Sequence, residues 1–186
     1  SMKTIQAHKG CYEYSTHFTG LAGHGSAPDK GVNAIEYAIR FINKLMELRE
    51  ELKKRVPKNS AFTPPYSTLQ IGGIKGGLAR NVIADQCVVD WELRPVVPED
   101  GEFVNKSLET YVKNVLLPEM KKIYPKANIE KEIIGEIIGF TKEEKSDAVN
   151  LVCNLTGDNS RDVVSFGTEA GLFQELGIST VVCGPG

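Results

Sequence analysis

Aromatic and β-branched residues dominate from Tyr12 to Thr19, and the run breaks at a loop of small residues, Gly20 to Pro28. That pattern predicts a strand followed by a turn. From Asn33 to about Arg55, Ile35, Ala38, Ile39, Ile42, Leu45 and Met46 return every three or four positions, with Glu36, Arg40, Asn43 and Glu47 between them. An amphipathic helix is expected there, with Asn33 as its cap. Pro57, Pro64 and Pro65 end it and lead to an extended segment, Ser67 to Ile74, with Gly72, Gly73, Gly76 and Gly77 as a turn. Cys87, Val89, Trp91 and Leu93 then alternate with Val88, Asp90, Glu92 and Arg94, the clearest strand signal in the chain. Glu102 to about Tyr124 has a helical pattern that Pro118 should kink or restart, and Ile129 to Phe140 is β-branched and extended.

Read in order, residues 10 to 140 give β, α, β, β, α, β. This is the split βαβ arrangement of an α+β, ferredoxin-like sandwich, with two helices on one sheet face and the other face left for a partner. The last residues change character. Lys145 to Leu155 reads as a helix, Asp162 to Phe166 as a strand, Glu169 to Leu176 as a short helix and Ser179 to Cys183 as a strand. Two such strands, expected to run parallel and to be joined through a helix, cannot cover their own apolar surface. Residues 141 to 186 are therefore expected to be loosely packed or paired with a neighbouring molecule. The abrupt opening at Ser1-Met2 and the close on Gly184-Pro185-Gly186 suggest a segment of a longer protein. The division expected is a domain over 10–140, with 1–9 and 141–186 as partial segments of a second, α/β unit.

Composition narrows the function classes. Among 186 residues, 41% are hydrophobic and 25% charged, which is the balance of a folding domain. Lys plus Arg number 22 against 24 acids and are scattered, so no cationic footprint for nucleic acid is formed. No apolar run approaches the roughly 20 residues of a spanning helix, and no charged start with an apolar stretch opens the chain, so the cytoplasm is the expected location. Cys11, Cys87, Cys153 and Cys183 are too widely spaced for a thiolate zinc site and read as reduced packing residues.

Candidate chemistry is thin but localised. His24 stands alone in Gly20-Leu-Ala-Gly-His24-Gly-Ser-Ala-Pro28, as an exposed hydrogen-bond donor or an ordinary surface histidine. Arg80-Asn81 follow the glycine turn and Arg94 lies on the polar face of its strand. A guanidinium there suits a ligand carboxylate, or equally a cross-strand ion pair with a neighbouring acid, and Asn81 also fits a turn. Gly167-Thr168-Glu169 lies between a strand and a short helix, where it could meet an anionic group or simply cap the helix. Neither a nucleophile system nor a hydrolytic metal motif is visible, so the metal ligands assigned to this chain are none.

Six strings occur in order: Ala7-His8-Lys9-Gly10, Gly20-Leu-Ala-Gly-His24, Gly31-Val-Asn33-Ala-Ile35, Ser67-Thr-Leu, Gly76-Gly-x-x-Arg-Asn81-Val-Ile and Phe166-Gly-Thr168-Glu-Ala-Gly171. Together they resemble the dinuclear zinc amidohydrolases, the family of acetylornithine deacetylases, succinyl-diaminopimelate desuccinylases, carboxypeptidase G and aminoacylases, with the acetylornithine deacetylase branch nearest. The resemblance covers nearly the whole chain. It implies a zinc-bearing catalytic domain interrupted by a ferredoxin-like lid that forms a homodimer, with residues 10–140 as the lid. It also implies two zinc ions, or cobalt in their place, bound by residues outside this chain, which alone would then be inactive. His24 matches a lid histidine that donates to an oxyanion in the neighbouring protomer's active site. Asn81, Arg94, Gly167 and Thr168 match substrate-holding positions, Arg94 for the substrate carboxylate. The implied reaction removes the acyl group from an N-acyl amino acid, foremost N2-acetylornithine in arginine biosynthesis, with succinyl-diaminopimelate, acetylcitrulline or a dipeptide as alternative substrates. Gly25 and Ala84 depart from the serine and proline usual there, which bears on loop geometry. The contrasting reading is a dimerisation or amino-acid-binding module without catalysis.

Overall fold

The computed structural model describes residues 3–143, 145–157 and 159–184. Ser1-Met2 and Pro185-Gly186, on which part of the expected longer chain rested, lie outside the described residues. The first strand is β1 (Lys3–His8), which leads through Lys9 and Gly10 into β2 (Cys11–Thr19). A short ribbon strand β3 (Gly23–His24) precedes helix α1 (Ala34–Lys54); β4 (Thr68–Gly76), the two-residue β5 (Val82–Ile83) and β6 (Gln86–Arg94) follow. Helix α2 (Pro98–Tyr111) runs through a π-turn, Val112–Leu116, into α3 (Leu117–Ile123), and β7 (Asn128–Ile137) completes the set.

The sheet order is β4-β6-β2-β7, every pair antiparallel, which is the ferredoxin-like sandwich expected from the element order. Alternation decides which face is covered. Cys87, Val89, Trp91 and Leu93 are all buried, as are Tyr14, Thr16 and Phe18 of β2, beneath α1 and α2. Tyr14 pairs with Trp91 across the strands and their rings lie 4.4 Å apart. Asn33 caps α1, its side chain accepting from the Ile35 N–H at 3.1 Å.

Two local expectations are corrected. The buried stripe of α1 is Ala34, Ala38, Phe41, Leu45, Leu48 and Leu52, whereas Ile39 and Met46 remain 48% and 37% exposed. One sheet face can cover only part of the helix circumference, and the row carrying Phe41 and three leucines faces it. Gly72 and Gly73 form no turn; they sit inside β4 at a register shift, and the positive φ of this region falls on Gly77. At Pro118 the helix restarts, as expected, with Pro118 in the first turn of α3. Pro118 has no N–H for a bond to the preceding turn, and the π-turn just before it carries the helix past the missing donor.

The tail comprises α4 (Asp147–Thr156), β8 (Asp162–Val164), α5 (Ala170–Glu175) and β9 (Val182–Gly184). Its two strands are neither adjacent nor parallel to one another. β8 pairs parallel and β9 antiparallel with β1, which lies between them. The opening residues, read only as a short segment of a second unit, thus supply the central strand, and both strands of the tail pair with it. Leu151 and Leu155 on α4 and Leu172, Phe173 and Leu176 around α5 remain exposed. Among the described residues no helix is long and apolar enough to cross a membrane.

Candidate functional site

The five expected site residues fall into two groups at opposite ends of β2. The nine residues of that strand span roughly 27 Å at the usual rise. Beyond its Thr19 end, β3 and β5 form a ribbon in which His24 faces Val82 and stands beside Asn81. The ribbon is tight: the Gly25 N–H donates to the Asn81 carbonyl at 2.8 Å, and a Cβ on Gly25 would lie 3.2 Å from that oxygen. Glycine in place of the serine expected from the resemblance permits this close approach. The His24 side chain is exposed, with Nδ1 2.7 Å from Ser26 Oγ and accepting from the Ser26 N–H at 3.3 Å. Because a main-chain N–H only donates, Nδ1 is the acceptor and the proton of the neutral ring sits on Nε2. His24 therefore offers an outward Nε2–H, the form a hydrogen-bond donor needs.

The second group gathers where the sandwich meets the tail. Arg94, at the end of β6, donates from Nε and Nη2 to the two oxygens of Glu92 at 3.1 and 2.9 Å. This ion pair runs along the strand rather than across it as the alternative for Arg94 expected, and it occupies one edge of the guanidinium. The Glu92 carboxylate raises the Arg94 pKa further, so the residue stays cationic. Gly167 packs directly on Cys11: a Cβ there would lie 2.9 Å from the Cys11 Cβ. The Thr168 N–H donates to His8 Nε2 at 3.3 Å, and the Thr168 hydroxyl accepts from the N–H of Ala170, the first residue of α5, at 3.2 Å. Arg94, Gly167 and Thr168 are thus brought together, whereas His24 and Asn81 are not brought to them within one chain.

Around this second group stand residues not singled out as site residues from the sequence. His8 is buried, its Nδ1–H given to the Lys9 carbonyl at 2.8 Å, and burial pushes its pKa down, keeping the ring neutral. Lys9 is buried as well, and its ammonium donates to the carbonyls of Pro64 and Tyr66, both at 2.8 Å. Burial, with the nearby Arg94 charge, brings the Lys9 pKa down to about 8. The one available signal was two basic residues directly ahead of Gly10, in a string otherwise valued only for its resemblance.

The zinc implied by the resemblance does not fit the residues present. Among the described residues the group of ligand type is Cys11, Glu13 and Glu92, with atoms within 4.8 Å of one another. Glu92 is already held by Arg94, and burial pushes the Cys11 thiol up, away from the thiolate a metal needs. A cation placed there would meet a guanidinium and a protonated thiol, and no chemistry is routed through it.

Comparison with known proteins places this geometry. The Peptidase dimerisation domain of M20 enzymes matches residues 6–120. The chain is 33% identical over 189 residues to acetylornithine deacetylase from Myxococcus xanthus, covering 98% of this chain and 46% of that protein. To acetylornithine deacetylase from Klebsiella pneumoniae (strain 342) it is 36% identical over 186 residues, covering 100% of this chain and 46% of the relative. The chain therefore spans about half the length of the curated relatives it matches. In fold it is similar to a tripeptidase from Staphylococcus aureus (TM-score 0.69, 21% identity, 98% of this chain and 45% of that one). It is likewise similar to aminopeptidase PepT from Bacillus cereus (TM-score 0.68, 20% identity, 96% and 44%). With a family match across most of the sandwich and relatives aligned from end to end, the chain belongs to the M20 peptidase dimerisation domain family.

Proposed function

We propose that this chain is the lid, residues 10–140, with adjoining parts of the catalytic unit, residues 1–9 and 141–186, of a metal-dependent N-acyl-amino-acid deacylase. Its preferred substrate is N2-acetylornithine, hydrolysed in the cytoplasm to ornithine and acetate. The observation that carries the reading is the separation of the two residue groups across the length of β2 in a chain of a dimerisation family. A donor on the far ribbon and a carboxylate holder at the hinge can serve one substrate only if two protomers share each active site. In such a dimer Arg94 holds the substrate carboxylate with the guanidinium edge that Glu92 leaves open, and Gly167 and Thr168 line the same position. His24 of the other protomer, with Asn81 beside it, donates its Nε2–H to the oxygen that gains charge as water adds to the acyl carbon and the C–N bond breaks. The two metal ions, zinc by resemblance, would be held by residues outside these 186 and would supply the activated water. Half-exposed Ile39 and Met46 on α1 and Ile74 on the edge strand β4 support a dimer face along that helix and edge.

The test is turnover of acetylornithine, acetylcitrulline, succinyl-diaminopimelate and a dipeptide by the metal-loaded longer protein and by its His24→Ala variant. Acetylornithine is expected to be the best substrate. The variant is expected to lose at least about a hundredfold in kcat with unchanged metal content, the usual cost of one oxyanion donor. Full turnover by the variant would return His24 to an ordinary surface residue, and preference for another substrate would move the assignment within the family.

A further inference from the structure

Between the helices and the sheet lies a cavity of about 170 Å³ that neither group of site residues touches. Its walls are apolar: Phe41 from α1, Trp91 from β6, Leu108 and Val112 from the approach to the π-turn, and Ile129 from β7. Thr16 at its inner side is already bonded, accepting from Trp91 Nε1 at 3.0 Å. The mouth, between α2 and β7, is polar and partly open to solvent. Lys131 Nζ donates to Asn105 Oδ1 at 2.9 Å and stands 3.8 Å from Glu109, while Asn105 Nδ2 donates to the Tyr14 hydroxyl at 3.1 Å.

Close-packed interiors leave few voids larger than a water, so a space of this size under a well-formed helix requires a cause. Pro118 supplies one. The π-turn that accommodates it begins at Val112, and the extra residue in that turn changes the spacing of the row that Val104 and Leu108 begin against the sheet, while Leu116 stays buried in the same core. Since Thr16, Asn105 and Lys131 have partners within the protein, they offer water little reason to enter. An enclosed apolar cavity of about 150 Å³ accepts benzene or xenon.

We propose that this cavity is a binding site for a compact apolar molecule, a single aromatic ring or branched aliphatic of about six to eight heavy atoms, entering at the mouth beside Lys131, Asn105 and Glu109. The site depends on the sandwich alone and is independent of the deacylase reading. Trp91, the sole tryptophan of the chain, lies in the wall and reports occupancy directly. Titration of the chain with bromobenzene, a heavy-atom quencher, is expected to quench Trp91 emission saturably at one site per chain. Saturation should also raise the melting temperature by about 3–6 °C at roughly tenfold excess over Kd. Val112→Phe, which fills the space from the helix, should abolish both effects, and Ile129→Phe fills it from the sheet should the first variant fold poorly. Quenching that rises linearly without saturation, or that persists in both filled variants, would overturn the site.

Discussion

Lys9 carries its charge into a place where main-chain carbonyls, rather than a carboxylate, receive it. It is 1% exposed, and the Pro64 and Tyr66 oxygens, with the Phe62 ring 5.9 Å away, are its surroundings. Burial first, and the Arg94 charge second, bring its pKa to about 8, against about 10.4 in an unfolded chain. Below pH 8 both states hold the proton and the folded state bears the full cost of the buried charge. Between about pH 8 and pH 10 the folded protein has lost a proton that the unfolded chain still binds, so stability rises with pH across that window. Lys9→Met keeps the length and removes the charge. Urea midpoints measured at about pH 7 and pH 9.5 should rise for the parent and rise less for the variant, and parallel changes in the two would refute the assignment. The same contrast between pattern and place applies to Arg94. Its position on a polar strand face was legible, but whether it pairs with Glu92 or waits for a ligand depended on the rotamers of neighbours two positions apart.

Three elements meet at Asp100. The carboxylate, 1% exposed, lies in the first turn of α2 behind Pro98 and accepts from Arg55 Nε at 2.7 Å at the end of α1. Ser67, immediately before β4, gives its hydroxyl proton to the other oxygen of Asp100, and its Oγ accepts from the Val96 N–H at 2.8 Å. A negative charge at a helix N-terminus is favoured by the aligned peptide dipoles, and here it also ties helix, helix and strand together. Asp100→Ala should cost about 3 kcal/mol in denaturant unfolding, as expected for breaking a buried charged network. Arg55→Ala should cost distinctly less, because that side chain is 40% exposed; equal costs would show that the ion pair, not the buried carboxylate, does the anchoring. The sequence announces a helix here through Pro98 and its acids, yet Asp100 has no local partner, and its role appears only when residues 33 and 45 positions away converge on it.

Across the whole molecule, the separation of His24 from Arg94 leads to a test that depends on two protomers. In longer proteins carrying His24→Ala and Arg94→Ala, each homodimer should be nearly inactive. Mixing them through unfolding and refolding should restore about a quarter of the parental activity per site, since half of random two-fold dimers are mixed and one of their two sites is intact. Activity that stays at the level of the separate variants would place His24 and Arg94 in one protomer's site or remove one of them from catalysis. The exposed apolar residues of the tail belong to the same scale. Leu155 is 77% and Leu176 76% exposed, and in a chain about half the length of its relatives these surfaces mark where the remaining catalytic unit packs under the proposed reading.

The alternation of Cys87 to Arg94 and the helical repeat after Asn33 are local properties, set by side-chain period and backbone sterics, and so the sandwich and its element order were readable from the sequence alone. The ordered strings also carried the family, because each string holds a turn or strand end in place. What tertiary structure alone decided is long-range. β1 lies between β8 and β9 because unpaired edges of distant segments satisfy one another, a choice that no local pattern encodes. The buried row of α1 is the one the sheet covers, and it leaves Ile39 and Met46 exposed. The division of the site residues into two clusters roughly a strand length apart follows from which end of β2 each loop leaves. Spacing along the chain specifies neighbours on an element, and only packing specifies which elements become neighbours.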